Sequence, residues 1–522
     1  MIIPLRQRTL PIATAIGAAV GGAIVALRYH RLGLTLSHYD ARGHLVVARR
    51  IVDSITPGWQ QVGAVWLPLP HLLNAVPVQI DTFYRTGASA VAISIVAFAI
   101  ATGAIAWIVL QQTQSAGAAL VATAAFAFNP NVLYLQATPM TEPLLLALTT
   151  VAVALLMNWC RAGLQACHGA TATTAGLKSH TTCTTSAGAM TGWAFALACL
   201  MRYEAWPVTA FALAAAVWTQ WRRGESLTAA SRRVGAIARY PAVAIMAFAI
   251  FSRVVIGEWF VASGFFVPEN KSLGQPVLAA AEIWWGTHQL SGYLITSIAG
   301  AGLAVLLATG LFSRRRADAI VALSLMATAA LPWLAFVEGH PFRIRYMVPL
   351  IAIEAIGAGV AVGFVDFFRG ARLVAAVLAA LAIAHELRPL DATAPMVAEA
   401  QWDRPNAPVR KQVTDCLRAR YDGDTIMASM GSLGHYMQEA SRDGFDIGNF
   451  LHEGNGDIWL AALDGPRRYA GWVLIEEKAE GGDMLATIAR QHPHFLDGYT
   501  RVCEGAGLAL YQRQNRILNV RK

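Results

Sequence analysis

Residues 88–110 read ASAVAISIVAFAIATGAIAWIVL, a run without a single charged side chain. An α-helix needs about 20 consecutive apolar residues to cross the hydrocarbon core of a bilayer, so this run predicts a membrane span. The whole chain of 522 residues is 56% hydrophobic and only 14% charged. This composition is too apolar for a set of soluble domains and indicates a multi-pass membrane protein, mainly α-helical.

Similar apolar runs recur through most of the chain and predict about eleven crossings in a helical bundle. The first has Arg6 and Arg8 before it, as a signal peptide does, but it reaches spanning length, and we interpret it as an uncleaved anchor. The predicted spans lie near residues 10–27, 88–110, 116–128, 141–158, 188–201, 206–220, 241–256, 293–312, 317–337, 347–365 and 371–386.

The net charge of +9 would suggest a nucleic-acid partner in a soluble protein, but here the arginines lie mostly in short connections. The positive-inside rule places such connections in the cytoplasm of an inner (plasma) membrane protein. With a cytoplasmic N-terminus, the inside segments are 111–115, 159–187, 221–240, 313–316 and 366–370. The outside segments are 28–87, 129–140, 202–205, 257–292, 338–346 and everything after about residue 387.

The end of the chain changes character and predicts a soluble extracytoplasmic α/β domain at 391–522, after a transmembrane module at 1–390. Strand-like runs such as GWVLIEE (471–477) alternate there with helical stretches such as DMLATIARQ (483–491).

Cys416 and Cys503 both fall in this domain. An oxidising compartment would allow them to form a disulfide, and the sequence leaves open whether they do.

The first outer connection is far longer than a turn requires and contains SHYDARGHLVVARRIVDS, residues 37–54. Its apolar and charged residues alternate in a pattern that predicts an amphipathic helix on the membrane surface. The later stretch WLPLPHLLNAVPV, residues 66–78, is apolar enough to enter the interface. Together these segments predict a roof over a cavity, with Asp40 within it.

Three further charged stretches lie on the predicted outer face: TPMTEPLLLAL (138–148), LMRYEAWP (200–207) and EGHPFRIRYMVPL (338–350). Each has a simpler explanation, namely an acid at a helix start, neighbouring charges that neutralise each other, or arginines that snorkel to the interface. An unpaired charge in lipid costs about 2.5–3.5 kcal/mol, however, so their clustering at one face favours an anionic, lipid-borne ligand.

In chain order, these residues resemble the GT-C superfamily of membrane glycosyltransferases, particularly its protein-O-mannosyltransferase and aminoarabinose-transferase-like branch (glycosyltransferase family 39-like). The resemblance covers most of the chain. It depends on Asp40, on GAVWLPLPH from Gly63 to His71, on TEP with Glu142, on RYEA with Arg202, and on RIRYMVPL with Arg345. The chain lacks the lysine-proline-proline element of the aminoarabinose transferases and the acidic pair typical of the mannosyltransferases.

The resemblance implies inverting transfer of a sugar from a polyprenyl-phosphate donor to a glycan, lipid or protein acceptor. A sugar on phosphate already has a good leaving group, so one base suffices, and Asp40 is the candidate. Arg202 and Arg345, with Arg343 in reserve, are the candidates to hold the phosphate. Glu142 would hold the acceptor, orient the base, or bind a divalent cation (Mg or Mn) together with Asp40.

The remaining predicted substrate-binding residues are His44, His71, Trp66, Tyr346 and Trp285. These histidines, like His38, lack metal-ligand spacing and are expected to be interface or hydrogen-bonding residues. Tryptophans near an interface either stack on substrate or anchor the protein. The alternative function is a secondary transporter or flippase of a lipid-linked or anionic substrate. Transporters usually hold their charges near the bilayer midplane, whereas these charges lie at one outer face. The sequence identifies neither the sugar nor the acceptor.

Overall fold

The structure, a computed structural model, describes residues 9–63, 65–168, 174–257, 259, 270–365, 370–478 and 482–514, without the side chains of 163–185. Arg6, Arg8 and Arg369, which contribute to the predicted topology, lie outside the described residues.

The helices of the first half of the chain are α1 (Leu10–Arg31), α2 (Tyr39–Arg49), α3 (Leu69–Asn74), α4 (Asp81–Thr86), α5 (Ala88–Thr113), α6 (Ala116–Ala127), α7 (Pro130–Leu135), α8 (Glu142–His168), α9 (Thr174–Cys199), α10 (Ala205–Arg222) and α11 (Leu227–Val255). The second half contains α12 (Pro276–Ser291), α13 (Tyr293–Phe312), α14 (Ala319–Ala322), α15 (Ala330–Val337), α16 (Leu350–Phe364), α17 (Ala371–Glu386), α18 (Pro395–Glu399), α19 (Ala407–Arg420), α20 (Met430–Ala440), α21 (Asp457–Asp464) and α22 (Met484–Gln491). The strands are β1 (Ile426–Ala428), β2 (Phe450–Leu451), β3 (Trp472–Glu476), β4 (Tyr499–Gly505) and β5 (Leu508–Arg513).

Among the described residues, 6 helices are long and apolar enough to cross a membrane. They are α1, α5, Glu142–Ala162 of α8, α11, α13 and the continuous segment Ala319–Val337. Three shorter apolar helices are α6, Ser186–Cys199 of α9, and α16. The chain is therefore a multi-pass, mainly helical membrane protein, as predicted. The number of eleven crossings is not confirmed and stays a prediction.

The chain forms two compact units. We call Met1–Leu32 with Val91–Ala398 the helical unit, and Gly33–Ala90 with Glu399–Lys522 the sheet unit. Most of the long first connection thus packs with the C-terminal residues, an association for which the sequence holds no local signal. The predicted division at residue 390 stays a prediction.

Small residues allow the helices of the helical unit to approach closely. A Cβ atom at Gly302 of α13 would overlap the carbonyl oxygen of Gly357 in α16. A Cβ at Gly359, also in α16, would lie 2.7 Å from the carbonyl oxygen of Ala118 in α6. Such contacts between backbones are a usual way for helices to associate in lipid, where no hydrophobic effect drives them together.

The sheet unit contains a five-stranded sheet in the order β2-β1-β3-β5-β4. Strand β1 is parallel to β2 and β3, whereas β5 is antiparallel to both β3 and β4. The predicted small sheet in the C-terminal part is therefore present. A disulfide joins Cys416 of α19 to Cys503 of β4, which answers the question that the sequence left open.

Helix α2 lies where the sequence predicted a helix, but its environment differs from the prediction. Leu45, Val46 and Ala48 belong to the same buried cluster as Leu433 and Tyr436 of α20. The apolar side of α2 therefore packs into a protein core, and the expectation that it lies on a lipid surface is wrong. Partner residues almost 400 positions further along the chain cover the face that the local pattern assigned to lipid.

Candidate functional site

Asp40 occupies the first turn of α2 and is only 8% exposed, so it is not a solvated loop acid. The backbone N–H of Asp40 donates to Nδ1 of His38, the N-cap residue, at 3.1 Å. Because Nδ1 accepts this bond, the proton of a neutral His38 ring is on Nε2, which lies 3.6 Å from Glu399 Oε1. His38 thus links the Asp40 backbone to a second buried carboxylate. The sequence predicted His38 only as an interface or hydrogen-bonding residue.

His44 follows Asp40 by one helical turn and lies on the same face of α2. Its Nδ1 is 3.1 Å from Nε2 of His71, and its ring centroid is 4.1 Å from that of Trp66. A Cβ at Gly43 would lie 3.0 Å from the Trp66 ring, so the glycine leaves room for the indole. The structure therefore brings together three predicted substrate-binding residues: His44 lies on the helix that carries Asp40, and His71 and Trp66 pack against His44.

His71 is fully buried. Burial, followed by the charge of the neighbouring Arg50, lowers the pKa of His71 to about 3, although the Leu67 backbone opposes this shift slightly. The ring is therefore neutral at physiological pH. A neutral His71 can accept a hydrogen bond from His44 or donate one to it. It adds no charge to the site.

A four-residue charge cluster, which we call the α2 clamp, holds the first turn of α2. Arg42 pairs with Glu439 and lies 3.9 Å from Asp403. Arg410 donates two hydrogen bonds to Asp403, at 2.6 and 2.7 Å, and two to Glu439, at 2.8 and 2.9 Å. The clamp fixes α2 to α19 and α20 with two positive and two negative charges.

In the helical unit, Arg202 lies between two carboxylates. Its Nη1 is 2.9 Å from Glu142 Oε1 and donates to Thr141 Oγ1 at 2.9 Å. Its Nη2 and Nε both donate to Glu204 Oε1, at 2.6 and 3.1 Å. We call these four residues the Arg202 clasp. Two predicted site residues, Glu142 and Arg202, thus meet directly, and the sequence did not anticipate Thr141.

Local structure explains how the Arg202 clasp forms. Glu142 begins α8 and is fully buried, while Glu204 immediately precedes α10. Burial alone would lower the pKa of Arg202, but the adjacent carboxylates of Glu204 and Glu142 outweigh it and raise the pKa. Arg202 is therefore permanently charged, and the clasp carries one positive and two negative charges.

Arg345 and Tyr346 lie in a 3-10 turn, Ile344–Met347. The guanidinium carbon of Arg345 is 5.4 Å from the centre of the Tyr346 ring, and Tyr346 lies within electrostatic reach of Arg202. The Tyr346 hydroxyl is 3.4 Å from His340 Nε2, and His340 Nδ1 is 2.9 Å from the Pro341 carbonyl. Burial lowers the pKa of His340, so its neutral ring donates to Pro341 and accepts from Tyr346.

Arg343 directly precedes this turn, as its N-cap residue. Trp285 lies on α12 and makes an edge-to-face contact with Phe342, their ring centroids being 5.5 Å apart. The helical unit therefore contains Glu142, Arg202, Arg343, Arg345 and Tyr346, with Trp285 packed against the same 338–346 connection. Over the described residues, no group of three or more His, Cys, Asp or Glu side chains forms a metal-binding cluster.

The architecture is similar to that of known membrane glycosyltransferases. ArnT, an aminoarabinose transferase from Cupriavidus metallidurans, aligns in its apo state with a TM-score of 0.57 and 13% identity, over 95% of this chain and 98% of that chain. The same enzyme bound to undecaprenyl phosphate gives a TM-score of 0.55. The Archaeoglobus fulgidus oligosaccharyltransferase complex with Zn and sulfate gives 0.51, with 12% identity over 95% of this chain and 73% of that chain.

No protein-family model matches the chain, and no curated protein matches it in sequence. The structural similarities, at such low identity, establish the fold. The predicted resemblance to the GT-C superfamily is confirmed at that level.

Proposed function

We propose that this protein transfers a sugar from a polyprenyl-phosphate-linked donor to an acceptor hydroxyl on the outer face of the membrane, with inversion at the anomeric carbon. The observation that carries the proposal is the buried Asp40 in a GT-C fold: His38 caps the helix that carries it, and a pair of histidines and the α2 clamp hold that helix. Fixed placement of a carboxylate is what general-base catalysis requires.

In this mechanism Asp40 takes the proton of the acceptor hydroxyl while the oxygen attacks the anomeric carbon. The bond from that carbon to the phosphate oxygen breaks, and the electron pair leaves on the polyprenyl phosphate. A single displacement places the new bond opposite the old one and therefore inverts the configuration. His44 lies on α2 and would form a hydrogen bond to the sugar or acceptor. Trp66 packs against His44 and would stack on the sugar or acceptor.

Charge that develops on the departing phosphate needs fixed cations, and arginine supplies planar donors in pairs. Arg202 and Arg345 are the proposed phosphate contacts, with Arg343 in reserve. Tyr346 supplies a hydroxyl beside Arg345, and Glu142 fixes Arg202 through Nη1. Glu142 would thereby orient the phosphate site, and it would hold the acceptor if the acceptor reaches it.

A lipid-linked donor also needs an apolar surface for its isoprenoid chain. A groove of about 450 Å³ between α5 and α8 is lined by apolar residues, among them Val96, Ile100, Leu144, Leu148 and Val151. On α8 the groove begins two residues after Glu142, so the helix that presents this acid also presents the apolar surface. The similar ArnT structure with undecaprenyl phosphate supports a ligand of this class.

The orientation belongs to the proposal as well: a cytoplasmic N-terminus, about eleven crossings, and an extracytoplasmic sheet unit. A divalent cation, with Asp40 and Glu142 as candidate ligands, stays open. Glu142 already pairs with Arg202, so no step of the mechanism passes through a metal.

The test is turnover of a panel of undecaprenyl-phosphate sugars by purified protein reconstituted in vesicles. Wild type is expected to release undecaprenyl phosphate and transfer or hydrolyse the sugar of at least one donor. Asp40→Asn should reduce this by at least about 100-fold, because the general base is lost. Asp81→Asn, which changes a half-exposed acid of the same connection, should retain activity.

The transporter alternative predicts a different result. If wild type cleaves no donor but moves intact lipid-linked sugar between leaflets, and Asp40→Asn does the same, the proposed function is wrong.

A further inference from the structure

The Arg202 clasp leaves little of Arg202 available for a new ligand. The edge formed by Nε and Nη2 faces Glu204 Oε1, and Nη1 faces Glu142 and Thr141. Arginine binds a phosphate most strongly through two parallel N–H donors, and the Nε–Nη2 edge is such a pair. A phosphate that binds this edge must replace Glu204.

The charge balance favours the same conclusion. One guanidinium faces two carboxylates that are 0% and 6% exposed, and the carboxylate of Glu204 would repel a phosphate that approaches the same edge of Arg202. When one carboxylate leaves Arg202, the local charge becomes more positive by one unit, and this change strengthens the binding of an anion. At a few ångströms in a partly buried site, one unit charge is worth several kcal/mol before screening.

Glu204 is the carboxylate that can leave without loss of structure. It stands at the N-cap of α10, yet its side chain does not cap the helix. The N–H groups of Ala205 and Trp206 already bond to the carbonyls of Arg202 and Tyr203, and Pro207 has none. Glu142, in contrast, is fully buried, and it holds Nη1 together with Thr141. When Glu204 leaves, Arg202 stays fixed by its other side.

We propose that Glu204 occupies the edge of Arg202 that the phosphate of the donor takes, and that it competes with the donor for this edge. The inference deepens the proposed function and rests on it. Glu204 thereby sets the affinity for polyprenyl phosphate: it keeps Arg202 neutralised when the site is empty, and it weakens binding of donor and lipid product alike. Weaker product binding favours release of the lipid after transfer.

The experiment measures the dissociation constant of undecaprenyl phosphate for the full-length protein in detergent. Glu204→Gln keeps the shape and removes the charge, so it should bind undecaprenyl phosphate at least about tenfold more tightly than wild type. Glu204→Asp keeps the charge and should show no such gain. Glu338→Gln, an acid of the 338–346 connection, controls for a general change in surface charge.

A merely structural role for Glu204 predicts weaker binding, which is the opposite sign. The gain should also disappear in the double variant Glu204→Gln, Arg202→Ala, because it acts through Arg202. Unchanged or weaker binding by Glu204→Gln, with the fold verified by its unfolding midpoint, overturns the inference. Sugar transfer by wild type in the same preparation shows separately whether the proposed function stands.

Discussion

Two charged clusters, one in each unit, differ in their balance of charge. The α2 clamp of the sheet unit joins Arg42 and Arg410 to Asp403 and Glu439, and Arg410 bonds to both acids. Its two positive and two negative charges cancel, so the clamp has no net charge that would attract an additional ion. Such a network fixes geometry, provided that each buried charge keeps its partner.

The Arg202 clasp of the helical unit is unbalanced, with one guanidinium against Glu142 and Glu204. Its bidentate edge is occupied by a carboxylate that the helix does not need. Paired charges therefore have different roles in the two units. A balanced cluster locks the helix that carries Asp40, whereas an unbalanced one holds an arginine ready to exchange partners.

The largest effect should come from the unbalanced cluster. Arg202→Ala leaves two buried carboxylates without their guanidinium, which costs about 3–5 kcal/mol of stability. Arg202→Lys keeps the positive charge but loses the bidentate edge, so it should fold and still lose at least about 100-fold in sugar transfer. Turnover of undecaprenyl-phosphate sugar measures this effect. Full activity of Arg202→Lys would contradict a phosphate-binding role.

A smaller effect should follow from breaking the balanced cluster. Glu439→Gln weakens the contacts to both Arg42 and Arg410 and should lower the free energy of unfolding by about 2 kcal/mol. The affinity for undecaprenyl phosphate should stay as in wild type, because no ligand exchange occurs at the clamp. Glu477→Gln removes a carboxylate from an exposed pair with Arg501 and should cost at most about 1 kcal/mol.

If Glu439→Gln changed the affinity for undecaprenyl phosphate as strongly as Glu204→Gln does, the α2 clamp would not be a purely structural cluster. The proposed difference between the two clusters would then be wrong. Denaturant unfolding and lipid titration of the same preparations distinguish these outcomes.

The smallest effect concerns pH. His435 lies beside the α2 clamp, and a proton on it would disturb the balance. Burial, followed by the charge of Arg410, lowers its pKa from 6.5 to about 4, although Glu439 opposes the shift. The folded-state pKa lies below the unfolded value, so as pH falls from about 6.5 to 4 only the unfolded chain takes up the proton, and this stability contribution is lost. His435→Gln should therefore unfold with a weaker dependence on pH over this window. An unchanged dependence would contradict a histidine that stays neutral in the folded protein.

The sequence predicted what local pattern can reveal. The uncharged run at 88–110 became α5, and the acid of the first connection did lie on a helix. The Glu142 and Arg202 motifs, about 60 residues apart, were both assigned to one outer face, and they form an ion pair.

What the sequence missed depends on contacts between distant segments. The pattern of α2 looked suited to a lipid surface, because nothing local indicates that α20 covers its apolar face. Arg42 and Glu439 are 397 positions apart, so their pairing has no signature in either segment. Glu204 was noticed as a neighbour of Arg202, but only the geometry shows that it occupies the bidentate edge.

Inverting transfer with Asp40 as the base can be tested by the anomeric configuration of the product. Nuclear magnetic resonance determines this configuration after purified protein has acted on an undecaprenyl-phosphate sugar of defined linkage. Wild type is expected to form a product of the opposite configuration, and Asp40→Asn is expected to lose it. A product of retained configuration, or one that Asp40→Asn forms at the wild-type rate, would contradict this mechanism.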